Sequence, residues 1–226
     1  MDGIVPASGS ATRMRGIPKF LLPCDSTYTT LLERHVSNML EYCKIVWIPT
    51  RPELAILIES LKITSERVVV LPLTTQTMTE TVLKVTAISS ADEFMMCMPD
   101  TFFYGEMPYA YLSYLGTINM KLATWKIRQE QRGKLGQVNY IRGDNGLISD
   151  SQDKNPNCTY PNSWGAMSFK REVLNLAEST MPHVGYLINP ALKNNLPIEG
   201  KNFSGEYFDC GTPTEYLNLL KKVVYE

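Results

Sequence analysis

The sequence predicts a single α/β domain, with helices packed on a mostly parallel, mixed central sheet. Two observations carry that expectation: short apolar runs alternate with amphipathic segments through the first half of the chain, and the helical segments open on legible caps. A chain of 226 residues that is 44% hydrophobic can bury one substantial core without staples.

Taken in order, Ile4–Ala7, Ile45–Pro49, Val68–Leu71 and Phe94–Met98 are short, apolar and bounded by turn signals, as buried parallel strands are. Thr30-x-x-Glu33 is a capping box ahead of Leu32, Val36, Met39, Leu40 and Cys43 at helical spacing. Thr50-x-x-Glu53 repeats the device, with Pro52 in the first turn and Leu54, Ile58 and Leu61 on one face. A third helix is expected from Met78 to Ser89, with a stripe of Met78, Val82, Val85 and Ile88. Right-handed crossovers join such units, and a ligand crevice forms beyond the C-terminal ends of the strands. Both the Ala7–Arg13 loop and Pro99-Asp100 fall at such ends.

From Leu122 onward the pattern loosens. Leu122–Lys126, Gln137–Arg142 and Trp164–Phe169 read as strands between Gly-, Asp- and Asn-rich turns, and the polar segment Ser149–Asn162, with its two prolines, reads as a surface or active-site loop. The last helix is clearly marked by Thr212-Pro213-Thr214-Glu215, ahead of Leu217, Leu220 and Val224. Just before it, Asp209 ends the short apolar run Tyr207-Phe208.

The 22 basic and 23 acidic residues nearly cancel, which leaves no global field for nucleic acid or an anionic membrane. No apolar stretch approaches the roughly 18–20 residues of a membrane span, and the N-terminus lacks a signal-like apolar region. The five cysteines show no C-x-x-C pair, and reduced thiols in a cytoplasmic protein are expected. With only His35 and His183, a histidine-rich metal site is not expected, and each reads as a structural or surface residue. Nothing fixes the oligomeric state.

The run Val5-Pro6-Ala7-Ser8-Gly9-Ser10-Ala11-Thr12-Arg13-Met14 carries the chemistry. Small side chains at Ala7, Ser8, Gly9 and Ser10 let backbone N–H groups approach an anion, and Arg13, Arg15 and Lys19 supply positive charge. The same small residues also suit an ordinary tight turn. Two aspartates, Asp100 after Met95-Met96-Cys97-Met98-Pro99 and Asp209 after Tyr207-Phe208, stand at strand tips, where a carboxylate needs a cation or a hydrogen-bonding partner. Mg²⁺, held by one or two carboxylates plus phosphate oxygens, is one such partner, and capping of the following turn is the other reading. Loop and aspartates together suggest phosphoryl or nucleotidyl transfer, in which positioning and cations lower the barrier. Neither G-x-x-x-x-G-K-[ST] nor G-x-G-x-x-G occurs, which argues against a P-loop NTPase and a dinucleotide enzyme.

These blocks resemble the sugar-1-phosphate nucleotidyltransferases, whose signature is a strand leading into A-G-G-x-G-T-R-[LM] and then P-K-x-L-x-P. Here they read Ala7-Ser8-Gly9-Ser10-Ala11-Thr12-Arg13-Met14 and Pro18-Lys19-Phe20-Leu21-Leu22-Pro23. The family's G-D-x-x-F resembles Pro99-Asp100-Thr101-Phe102-Phe103, and its D-x-G-T-P-x-x-Y resembles Asp209-Cys210-Gly211-Thr212-Pro213-Thr214-Glu215-Tyr216. The ordered blocks span nearly the whole chain. The resemblance implies a Rossmann-like three-layer α/β/α fold, with residues 1–105 as a nucleotide-binding half and 106–226 as a sugar-phosphate-binding half. It implies an NTP and a sugar 1-phosphate as substrates, Arg13 on the triphosphate, Lys19 on phosphate near the reacting centre, and Mg²⁺ on Asp100 and Asp209.

Gln76 and Thr79 stand at the family's base-reading turn, which is equally the place of an ordinary helix cap. Lys154, in Asp153-Lys154-Asn155 where many members have E-K-P, is a candidate for the sugar phosphate or a solvated loop lysine. Gly165 resembles the glycine that lets a sugar ring lie against backbone, with Trp164 beside it as a core residue or a wall. Ser8 and Ala11 replace loop glycines, and the gap from Met14 to Pro18 is short. A nucleotide-binding regulatory module is therefore an alternative, as is a cytidylyltransferase for a non-sugar phosphate.

Overall fold

The computed structural model describes residues 1–9, 14–61, 63 and 65–225. The N-terminal strand β1 (Asp2–Ile4) lies between β2 (Val46–Thr50) and β4 (Glu93–Cys97), with β3 (Val68–Pro72) beyond β2, and all four run parallel. β1 is shorter and earlier than the sequence implies, yet Val5 and Ala7 still donate backbone hydrogen bonds to Trp47 and Pro49. Alternation along the strands divides the core. Val5, Val46, Ile48, Met95 and Cys97 pack with α1 (Leu31–Met39) and α2 (Pro52–Glu59), while Ile4, Phe94 and Met96 pack with α3 (Met78–Ile88).

Thr30 closes the expected capping box with Glu33 at the start of α1. Thr50 does not cap α2. Arg51 occupies that position without a side-chain cap, and the Thr50 hydroxyl instead donates to the Ala7 carbonyl at 3.0 Å, tying β2 to the loop after β1.

The second half departs from an open, mostly parallel sheet. After β5 (Thr101–Gly105) and the short α4 (Tyr109–Leu112) come β6 (Met120–Lys126), β7 (Gly136–Tyr140), β8 (Asn145–Asp153), β9 (Asn162–Lys170), α5 (Ile188–Lys193) and β10 (Ile198–Asn202). β9 runs antiparallel to β4 over Ala166 to Lys170 and antiparallel to β7 at Asn162 and Ser163. The order β9-β6-β10-β8-β7 therefore closes on itself as a small barrel. Antiparallel pairing prevails here, with β6 and β10 the parallel exception. Ser149–Asp153, expected in a loop, belongs to β8, where outward-facing polar side chains mask the strand.

The remaining strand, β11 (Gly205–Asp209), pairs among the described residues only with β5, antiparallel, before α6 (Pro213–Tyr225) begins at the expected Thr212 cap. Alternate residues face opposite ways. Phe103 and Tyr207 join a ring stack with Trp125, and Phe102 and Phe208 pack with Leu22, Leu31 and Leu219. All five cysteines are buried and free, and no helix among the described residues is long and apolar enough to cross a membrane.

His35 fastens this ribbon to α1. Its Nε2 donates to the Thr101 carbonyl and its Nδ1 accepts from the Tyr109 hydroxyl, each at 2.8 Å, so the imidazole is held neutral. Complete burial pushes its pKa down from 6.5 to about 4. The unfolded chain binds this proton first, so the contribution to stability is full above pH 6.5 and is lost as pH falls toward 4. Between pH 7 and 4.5 the wild type should lose about 2–3 kcal/mol more unfolding free energy than His35→Gln, as read by urea denaturation. Equal losses in the two proteins would exclude His35 as the source.

Candidate active site

The site grows from three strand ends. Beyond β1, Ala7 is buried, Ser8 is half-buried and Gly9 is exposed with open space where a side chain would stand. Ser10 and Arg13 lie outside the described residues. Lys19 opens a 3-10 turn, Lys19–Leu21, whose neighbour Phe20 is buried in the core and so fixes the lysine's position.

Beyond β4, Asp100 meets Lys19. The ammonium lies 3.0 Å from Oδ2, with the two side chains only 16% and 17% exposed. Asp209 arrives through the ribbon, since it pairs with Thr101 across β5 and β11, and Cys210 N–H donates to the Asp100 carbonyl at 2.8 Å. Both carboxylates thus stand at one end of the same two-stranded element. Neighbouring groups register them: burial, reinforced by Asp209 and Asp100, holds the Tyr207 hydroxyl well above its ordinary pKa, and the Cys210 thiol is raised the same way. Two hard carboxylates side by side suit Mg²⁺ completed by phosphate oxygens. No group of three or more His, Cys, Asp or Glu with metal-binding geometry occurs among the described residues, so phosphate oxygens or water would have to complete such a shell.

Two clefts converge on this point. One, of about 570 Å³, is lined by Ala7, Ser8, Gly9, Lys19, Gln76 and Asp100, among others. The other, of about 580 Å³, is lined by Gly136, Asp153, Trp164, His183, Tyr207 and Asp209, among others. Asp100, Lys154, Met78 and Met98 belong to both. Each volume is in the range of small-ligand sites. Lys154 reaches the junction from the end of β8 with a left-handed backbone, φ 48°, uncommon outside glycine.

Two candidate residues line neither cleft. Thr79, a candidate for the base, is completely buried in α3 with its hydroxyl unpartnered among the described residues, and lines neither cleft; the helix turns it inward while exposed Gln76 stays at the cleft. Gly165 is buried in β9, and a methyl group there would overlap the Tyr207 ring, so its lack of a side chain makes room for the aromatic stack. Arg51 was not anticipated. It lines the first cleft, pairs with Glu53 at 3.0 Å, and leaves its buried Nε unpartnered among the described residues. Its signal in the sequence is a cation directly after the second parallel strand.

No protein-family model matches the chain, and no curated protein matches it by sequence. Solved structures do match in fold. A Bacillus anthracis protein assigned as a glucose-1-phosphate thymidylyltransferase superposes with a TM-score of 0.83 at 16% identity, over 99% of this chain and 95% of that one. UDP-glucose pyrophosphorylase from Acinetobacter baumannii gives 0.77 at 17% identity, over 98% and 92%. The inositol-1-phosphate CTP transferase of T. maritima gives 0.75 at 16% identity, over 98% and 95%. The chain therefore has the fold of these nucleotidyltransferases. Identities this low establish the fold and leave activity to the site.

Gly165→Ala should lower stability by about 1–3 kcal/mol through overpacking against Tyr207 and Trp125. An unchanged melting temperature would show that the stack has slack there and would return Gly165 to the cleft.

Proposed function

We propose that the protein is a Mg²⁺-dependent nucleotidyltransferase that condenses an NTP with a sugar 1-phosphate, giving an NDP-sugar and pyrophosphate. The observation that carries this reading is the meeting of two ligand-sized clefts at Asp100 and Lys154, with Lys19 and Asp209 beside them. The first cleft draws its lining from residues 6–100 apart from Lys154, and most of the second comes from residues 133–215. That division supports a nucleotide half, 1–105, and an acceptor half, 106–226.

The nucleotide lies along Ala7, Ser8 and Gly9 with its base toward Gln76. Arg13 takes the triphosphate role that the motif implies. The acceptor lies against Trp164 with its phosphate toward Lys154. An acceptor phosphate oxygen attacks the α-phosphorus, a new P–O bond forms, and the bond to the β-phosphate bridging oxygen breaks. The nucleophile is already anionic, so no protein base is required. Lys19 and Lys154 bring positive charge to the two reacting phosphates and hold them in line. Asp100 and Asp209 would hold Mg²⁺, which when bound supplies charge neutralisation on the phosphate oxygens. Ion pairing with Lys19 keeps Asp100 in place in the absence of ligand.

Pyrophosphate release, measured over four NTPs and a panel of sugar and polyol phosphates, tests the reading. Turnover is expected with at least one sugar 1-phosphate. NTP binding without turnover would overturn the enzymatic claim in favour of a binding module, and strict use of CTP with a non-sugar phosphate would make it a cytidylyltransferase of another acceptor class. Asp100→Asn should lower kcat by orders of magnitude while the protein remains folded. Arg13→Ala should weaken NTP binding by roughly ten- to a hundredfold, the value of one charge-assisted contact.

A further inference from the structure

We propose that His183 is a positioning residue for the acceptor, acting through Asp153 on the strained Lys154 turn. The inference rests on the proposed transfer reaction and assigns a residue that the motifs do not contain. His183 precedes a 3-10 turn, Val184–Leu187, and its Nδ1 accepts the Gly185 N–H at 3.2 Å. An Nδ1 that accepts carries no proton, so the proton is on Nε2, which donates to Asp153 Oδ2 at 3.0 Å. The two side chains are only 12% and 13% exposed. The ring is also held from its sides, 4.9 Å from Tyr186 edge-on and 6.0 Å from Trp164. Gly136 and Gly185 make room for that indole, since a methyl group at either would overlap it.

Asp153 ends β8, and the next residue is Lys154 with its left-handed φ of 48°. A lysine holds that conformation only where its surroundings fix it. The fixing contacts lie on both sides: Lys154 N–H donates to the Leu135 carbonyl at 3.3 Å, and the Asp153 side chain is anchored by His183. Asp153 and His183 line the second cleft with Trp164, and Lys154 reaches both clefts. One Asp153 oxygen is taken by the imidazole. The other has no protein partner among the described residues and can accept a hydroxyl, so the site suits a hydroxylated organic phosphate, with its phosphate toward Lys154.

The test is steady-state pyrophosphate release with acceptor and NTP varied separately, alongside thermal melts. His183→Ala should raise the acceptor KM about tenfold or more and leave the NTP KM within twofold. His183→Gln, whose side-chain amide can still donate to Asp153, should recover most of the loss. In an Asp153→Ala background, which removes the hydrogen-bond acceptor, His183→Ala should add less than twofold. If His183→Ala does not fold, His183→Asn replaces it, because it can keep the Gly185 contact and is too short to reach Asp153. An acceptor KM within twofold of wild type, equal rises in both KM values, no recovery by Gln, or a full additional loss in the Asp153→Ala background would each overturn the assignment. Absence of turnover by the wild type on every substrate pair would instead overturn the transfer reading beneath it.

Discussion

The pairing of Thr101 with Asp209 across the β5–β11 ribbon is the constraint on which the site depends. With the Cys210 N–H to Asp100 carbonyl hydrogen bond beside it, it brings together two carboxylates from distant parts of the chain. The ribbon is not part of the main sheet, so side chains must hold it. Phe103 stacks on Trp125 at 4.9 Å and Tyr207 on the same indole at 5.3 Å, anchoring one face. The other face is buried against the Lys19 segment, α1 and α6 through Phe102, Phe208 and Cys210. His35 completes the attachment at Thr101, immediately after Asp100. Burial of large aromatics on both faces explains how so short an element can be rigid.

That rigidity creates an electrostatic demand. Adjacent carboxylates repel, and partial burial weakens the screening that water would provide. Lys19 answers part of the demand by pairing with Asp100, and Phe20 roots the lysine in the core. A pair this poorly exposed adds less to stability than its Coulomb energy suggests, because both ions lose solvent. Its use is positional. The same cation that balances Asp100 lines the cleft in which a phosphate would compete for it.

The first half of this arrangement was legible because it is built from local units. Strand, loop and capped helix follow one another in β1 to α3, and each carries its signal within a few residues, as the Thr30 capping box shows. Where a motif had two uses, the sequence could not choose between them. Thr50 is followed at the right spacing by Glu53, yet its hydroxyl found the Ala7 carbonyl, a partner visible only once β1 and β2 are paired. Thr79 shows a related effect: a one-residue difference in helical phase separates a cleft from a core, and α3 turns Thr79 into the core.

The second half was less legible because its strands are joined by distant pairings. β8 is exposed along much of one face, so its hydrophobic periodicity is diluted, whereas β9 is buried on both faces although it carries Asn162, Ser163 and Ser168 among its apolar residues. Neither pattern reveals that β9 changes partner from β4 to β7 and closes a barrel. The barrel matters to function because it delivers the ends of β8 and β9 to one cleft, bringing Asp153 and Lys154 opposite Trp164. Gly165 shows the limit of motif transfer. The missing side chain is required, but by the Tyr207 ring, so the aromatic stack that seats Asp209 also uses the glycine space that a motif would assign to substrate. The wall of the second cleft and the support of the aspartates are thus one packing problem, and a change in either bears on the other.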